Sequence, residues 1–103
     1  MVVSIASGHE LALSGRIDVH NAGDIRDALH AALDAGTGDL FVDVSEVDLV
    51  DATGLGVLVG AHRRARQLDR RIVLTAASAR FLRILRMTRL HRVLVVEDRP
   101  TWQ

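Results

Sequence analysis

The sequence predicts an α/β domain built on a mostly parallel sheet with an antiparallel N-terminal strand. Three observations carry that expectation. Short β-type apolar runs alternate with helical stripes, the connections between them are brief, and the coarse order reads ββαβαβαβ, which calls for right-handed crossovers. The 103 residues, 49% of them apolar, supply one hydrophobic core, so a single domain over 1–103 is expected. No repeat, linker or low-complexity tract divides the chain.

Val2, Val3 and Ile5, then Leu11 and Leu13, are alternating runs on either side of Ser7-Gly8-His9-Glu10, the pattern of a hairpin. From Asn21 to Ala35 a helix is expected, because Ile25, Ala28, Leu29, Ala32 and Leu33 fall at i, i+3, i+4, i+7 and i+8. Asn21 with Asp24 three residues on resembles a capping arrangement, and Gly36-Thr37-Gly38 supplies the stop. Leu40 to Val44 reads as a buried strand. A second helix runs from Asp51 to about Leu68. Its first half is nearly all apolar or Gly and its second half polar, so its beginning should be buried and its end exposed. Ile72 to Leu74 make another core strand, and Ser78 can cap a short helix through Phe81, Leu82, Ile84, Leu85 and Met87. Val93 to Val96 form the last strand, and residues 98–103 are expected to fray.

Composition removes several function classes. The absence of cysteine excludes disulfides and thiolate metal sites, and the absence of lysine excludes a Walker-type phosphate loop. The N-terminus lacks a basic, then apolar leader, and no apolar stretch approaches the roughly 18 residues that span a bilayer, so a cytoplasmic location is expected. Zero net charge conceals a division: Met1–Ala61 holds 2 Arg against 10 acids (2 − 10 = −8), and His62–Gln103 holds 11 Arg against 3 (11 − 3 = +8). Arg80, Arg83 and Arg86 recur every three residues, with Arg89 and Arg92 just beyond, as a basic ridge. With only Phe41, Phe81 and Trp102 as aromatics and few amides, that ridge suits solvent or an acidic protein better than a nucleic acid.

Chemistry is most readable from Val47 to Gly56, where a strand end runs into a helix start. Asp51 can accept backbone N–H bonds as a cap, and the first turn, at Ala52, Thr53 and Gly54, can receive an anion. An ordinary capped helix is the plainer explanation, with Gly56 and Gly60 one turn apart bringing the backbone close to the sheet. Gly54-Leu55-Gly56 fails as a dinucleotide loop, since Val59 stands where the third glycine belongs. His9, His20, His30, His62 and His91 show no metal-ligand spacing, and Ser4, Ser7, Ser14, Ser45 and Ser78 have no elbow motif. The acid pairs Asp43 with Glu46 and Asp48 with Asp51 sit beside turns, where acids cap more often than they catalyse. A protein without catalysis, metal or cofactor is expected.

These residues together resemble the STAS domain family, and within it the bacterial anti-sigma factor antagonists. The resemblance covers nearly the whole chain. It rests on Leu13-Ser14-Gly15-Arg16-Ile17-Asp18, on Leu40-Phe41-Val42-Asp43-Val44-Ser45 with Val47-Asp48-Leu49-Val50, and above all on Asp51-Ala52-Thr53-Gly54-Leu55-Gly56-Val57-Leu58. It implies a mixed sheet covered by helices mainly on one face, and a protein-binding switch whose partner is an anti-sigma factor of the serine-kinase/ATPase type. In such systems the unphosphorylated antagonist binds the anti-sigma factor and frees the sigma factor, and phosphorylation of the antagonist breaks the complex.

The family's phosphoacceptor hydroxyl falls at Ala52, which has no oxygen to phosphorylate. Thr53, about 100° further round the first turn, is the possible substitute. The resemblance therefore implies constitutive binding first, a shifted acceptor second, and diversion to another role third. By position, Asp51 shapes the helix start, Thr53, Gly54 and Leu55 form the contact surface with Ala52, and Asp18 matches an acidic position near the partner. Two alternatives stay open: an accessory subunit of a lipid-transport complex, and a small-ligand or nucleotide-sensing module.

Overall fold

A computed structural model describes residues 3–97, with side-chain environments from Ser7 onward. The strands are β1 (Val3–Ala6), β2 (Glu10–Ile17), β3 (Asp39–Val50), β4 (Arg71–Thr75) and β5 (Val95–Glu97). The helices are α1 (Ala22–Asp34), α2 (Ala52–Gln67) and α3 (Ala79–Met87), followed by a 3-10 turn at Leu90–Arg92. One sheet runs in the order β1-β2-β3-β4-β5, with β1 antiparallel to β2 and β2 through β5 parallel. Each crossover steps the same way along the sheet, so right-handed connections put all three helices on one face. The expected fold class is the observed one. The expected tail at 98–103 lies outside the described residues.

The core forms between that face and the helices. Leu11, Leu13 and Ile17 of β2, Leu40, Val42 and Val44 of β3, and Ile72 and Leu74 of β4 meet Ile25 and Leu29 of α1, Leu58 of α2, and Phe81 and Leu85 of α3. The opposite face carries Phe41, exposed, beside buried Val73 in the β3–β4 register.

Four sequence expectations shift. β3 does not stop at Val44 but continues to Val50. It absorbs an extra residue twice: Ala12 and Ser14 of β2 face Asp43 and Glu46, and Gly15 and Arg16 face Val47 and Leu49. Each bulge turns the strand, so its buried residues Val44, Val47 and Val50 come three apart rather than two. Asn21 stands at the N-cap of α1 without a side-chain capping bond. Its Oδ1 instead accepts from the Asp18 N–H at 3.0 Å, and its Nδ2 donates to the Arg16 carbonyl at 2.6 Å. On α2 the buried stripe of Gly54, Leu55, Leu58, Ala61 and Ala65 runs the length of the helix, while Ala52 and Thr53 at its beginning are exposed. Small alanines at the polar end let that end approach the sheet. Finally, β5 begins at Val95, because the 3-10 turn draws the Val93 and Leu94 N–H groups onto the Leu90 carbonyl.

A residue that sequence reasoning passed over closes the far end of the domain. Arg70, 6% exposed, donates to the carbonyls of Ala32 and Leu33 at 3.0 and 2.9 Å, of Gly38 at 2.9 Å, of Gly8 at 2.5 Å and of Thr37 at 3.4 Å. The last turn of α1 has no basic residue of its own. Arg70 supplies the cation its carbonyl end favours and ties in the β1–β2 turn as well.

Candidate functional site

The site is built where two parallel strands end together. Ile17 of β2 pairs with Val50 of β3, and the Asp51 N–H donates to the Ile17 carbonyl at 3.1 Å. That bond holds the start of α2 against the end of β2. Asp51 is extended (φ −99°, ψ −177°), and its Oδ1 accepts from the Gly54 N–H at 2.9 Å, the expected N-cap. One first-turn donor is thereby satisfied within the chain.

Gly54 is the residue this seating requires. A Cβ there would stand 2.6 Å from Ile17 Cγ2, 2.8 Å from Val50 Cγ2 and 2.9 Å from the Ile17 carbonyl oxygen. Gly56 and Gly60, expected to bring the backbone to the sheet, do not: both are exposed, and a Cβ on either would meet nothing within 4 Å. The close approach lies one half-turn earlier than the sequence suggested. Of the residues expected at the contact surface, Gly54 and Leu55 are buried under the first turn. Asp51, Ala52 and Thr53 are exposed above them.

Asp18 follows Ile17 directly and so lies beside the start of α2. Its Oδ1 accepts from the His20 N–H at 2.9 Å, its carbonyl accepts from the Asn21 N–H at 3.2 Å, and its own N–H is held by Asn21 Oδ1. The half-buried carboxylate is therefore fixed by a tight turn. Val19 in this turn is 63% exposed and Leu49 near the end of β3 is 46% exposed. Both belong to the same end of the sheet; Val19 is missing from the sequence reading, where an apolar residue within a polar turn was the available signal, and Leu49 entered it only as part of the resemblance motif.

Thr53 opens in another direction, into a cleft of about 440 Å³ between α1 and α2 that is also lined by Arg26, His30, Gly56, Val57 and Arg63. Of the expected acid pairs, the Asp43 carboxylate has a structural partner, and Asp48 is held through its backbone rather than its carboxylate. Asp43 Oδ1 accepts from the Ser45 N–H at 2.8 Å in the first β3 bulge, and the Asp48 carbonyl accepts from Arg80 Nη1 at 3.4 Å. Chemically the region offers a rigid, capped helix start with two small exposed side chains and a carboxylate beside it.

The fold and this strand-to-helix seat define a STAS domain, and the chain belongs to that family: the family model described as Mlab, STAS domain, matches residues 3–97. Among individual proteins, it is 32% identical over 89 residues to the anti-sigma-B factor antagonist of Listeria monocytogenes, covering 86% of this chain and 78% of that one. It is 28% identical over 90 residues to the anti-sigma-B factor antagonist of Staphylococcus aureus, covering 87% and 83%. Among solved structures, the unphosphorylated anti-sigma factor antagonist SpoIIAA has the same fold, with a TM-score of 0.68 at 18% identity over 95% of this chain and 87% of that one. A sulfate transporter family protein from Wolinella succinogenes shares it too, with a TM-score of 0.77 at 17% identity over 93% and 82%. No helix among the described residues is long and apolar enough to cross a membrane.

Proposed function

We propose that this single-domain chain is a noncatalytic, cytoplasmic anti-sigma factor antagonist that binds an anti-sigma factor of the serine-kinase/ATPase type and so releases a sigma factor. The observation that carries this reading is the exposed first turn of α2, seated by Gly54 and capped by Asp51 beside the Asp18 turn, in a chain whose relatives are antagonists. Asp18, Asp51, Ala52 and Thr53 form the contact surface, with Gly54 and Leu55 as its support. Ala52 occupies the phosphoacceptor position without an acceptor oxygen, so binding is constitutive. Thr53 carries the adjacent hydroxyl, about 100° further round the helix from Ala52, and lines the cleft with Arg26 and His30.

The test incubates the purified chain with a partner of this type and Mg-ATP. Wild-type protein should stay unphosphorylated at Ala52 and remain bound. Ala52→Ser should restore a switch, because a phosphoryl group brings about 1.5 to 2 negative charges into a closely packed contact. Asp18→Arg should slow association at low salt. An Ala52→Glu variant that binds as tightly as wild type removes this helix start from the interface, and phosphorylation mapped to Thr53 with loss of binding replaces constitutive binding by a shifted acceptor.

The alanine at the acceptor position also favours a second reading, a docking module with no switch, such as an accessory subunit of a lipid-transport complex. Co-purification with transporter subunits rather than an ATPase of the anti-sigma type selects it. A ligand retained in native mass spectrometry selects a sensing module instead.

A further inference from the structure

The arginine ridge has no part in the reading above, and the fold gathers it into one surface. Phe81 and Leu85 face the core, and each helical residue turns by about 100°, so Arg83 points directly away from the core with Arg80 and Arg86 roughly 60° to either side. Met87, 77% exposed, falls between Arg80 and Arg83 on that face. Arg89 and Arg92 follow at once, both exposed, and Val93 is 41% exposed. Among the described residues the ion pairs are Arg26 with Asp27, Arg64 with Asp34 and Arg71 with Asp39. None involves the ridge, whose one side-chain hydrogen bond among the described residues is that of Arg80 with the Asp48 carbonyl.

The chain's own energetics oppose this arrangement. Like charges three residues apart on a helix repel each other. Arg80 stands in the first turn of α3, where the helix dipole disfavours a cation. Arg89 adopts a left-handed φ of 63° just past the helix end, where glycine is the ordinary residue. The carbonyl end of α3 favours Arg86 in its last turn, but no described carboxylate pairs with any arginine of the ridge, and a carboxylate-bearing partner would offset the rest of the charge.

We propose that the outer face of α3 and the turn after it form a docking surface for an acidic, partly apolar segment of a protein partner, separate from the start of α2. Arginine presents paired donors that match carboxylates two at a time. Met87 and Val93 select protein over nucleic acid, since a phosphate backbone covers neither; no Asn, Gln, Tyr or Trp occurs between Ala79 and Val93 to read or stack on a base, and the one exposed ring there, His91, has its Nδ1 against the Leu85 carbonyl at 3.4 Å. Two isolated apolar side chains also fall short of the continuous apolar face of a membrane-surface helix.

The test titrates the full chain at about 0.15 M salt with four probes: a twelve-residue Glu peptide with two central Leu, an all-Glu peptide of that length, a short duplex DNA, and phosphatidylglycerol vesicles. The Glu/Leu peptide should bind tightest, with amide shifts confined to residues 79–93. Arg83→Glu should weaken it about tenfold or more, Met87→Ser should erase its advantage over the all-Glu peptide, and Arg63→Glu on α2 should change it less than about twofold. Arg83→Glu should also raise the melting temperature by about 2 °C by relieving repulsion, which separates lost binding from lost folding. Tighter binding to DNA or vesicles, shifts spread onto α1 or the start of α2, equal effects of Arg83→Glu and Arg63→Glu, or no binding at all would each overturn the proposal. A lowered melting temperature for Arg83→Glu would do so too, because the ridge would then serve the fold.

Discussion

Gly54 and Arg70 hold opposite ends of the sheet by opposite means, one by having no side chain and the other by filling a buried space with donors. At Gly54 an added methyl meets two side-chain ends that can shift and one backbone carbonyl that cannot. Gly54→Ala should therefore cost about 2 kcal/mol in urea unfolding and lift the first turn of α2 from β2, weakening partner binding as well. If its midpoint matches that of wild type, the seat is looser than described. Arg70 is recognisable only after folding, because its five carbonyl acceptors come from the β1–β2 turn, the end of α1 and the loop after it. Arg70→Met keeps much of the packing but strands those carbonyls, and a loss of roughly 3 kcal/mol is expected, with faster amide exchange at the end of α1. Unchanged exchange there would mean water replaces the guanidinium without consequence. Asp51 and Ser78 were legible as caps because each needs only its own next three residues: the Gly54 and Phe81 N–H groups complete them. Asn21 was not, because Asp18 and Arg16, upstream of the helix, compete for the same amide.

Among the elements, α1 and β4 followed their apolar spacing closely, and β3 did not. Its second half places Val44, Val47 and Val50 three apart, a spacing that mimics a helix until the two bulges against β2 are known. A bulge is a property of the strand pair, so one strand's alternation cannot announce it. The same limit applies to α2, where three glycines look alike in sequence and differ wholly in surroundings. Gly54 is packed against β2, whereas Gly56 and Gly60 face the open cleft beside α1. A glycine in an exposed helix interior lowers stability relative to alanine. Gly56→Ala and Gly60→Ala should thus each raise stability by about 0.5 to 1 kcal/mol, read from denaturant midpoints at constant m-value. Destabilisation by either would show that α1 and α2 close over these positions in solution.

For the molecule as a whole, the order of elements and the parallel sheet were legible because short crossovers leave few topologies, but the meeting of the two oppositely charged halves was not. Only the fold reveals that Asp34 meets Arg64 at 2.9 Å and Asp39 meets Arg71 at 2.7 Å, while the α3 ridge meets no carboxylate among the described residues. The pH dependence of stability separates two kinds of titrating group. The Arg71 hydrogen bond holds the Asp39 carboxyl below its ordinary value of 3.8. Its contribution is present above that value and is lost as pH falls through the lowered one, and it is small because the pair is exposed to solvent and salt. His62 acts earlier in an acid titration. Burial first, and the Arg66 charge second, push its imidazole below the ordinary 6.5, and its Nδ1 is buried without a described partner. The unfolded chain then takes up the proton before the folded one, so stability is complete above the ordinary value and declines as pH falls from there through the folded-state value. Urea midpoints measured from about pH 7.5 down to about pH 5 should fall for wild type and much less for His62→Gln, which cannot be protonated in this range. Added salt should remove the Arg66 share of the slope and leave the larger share, which comes from burial. If His62→Gln reproduces the wild-type slope, the proton uptake belongs to another group and the imidazole is open to water.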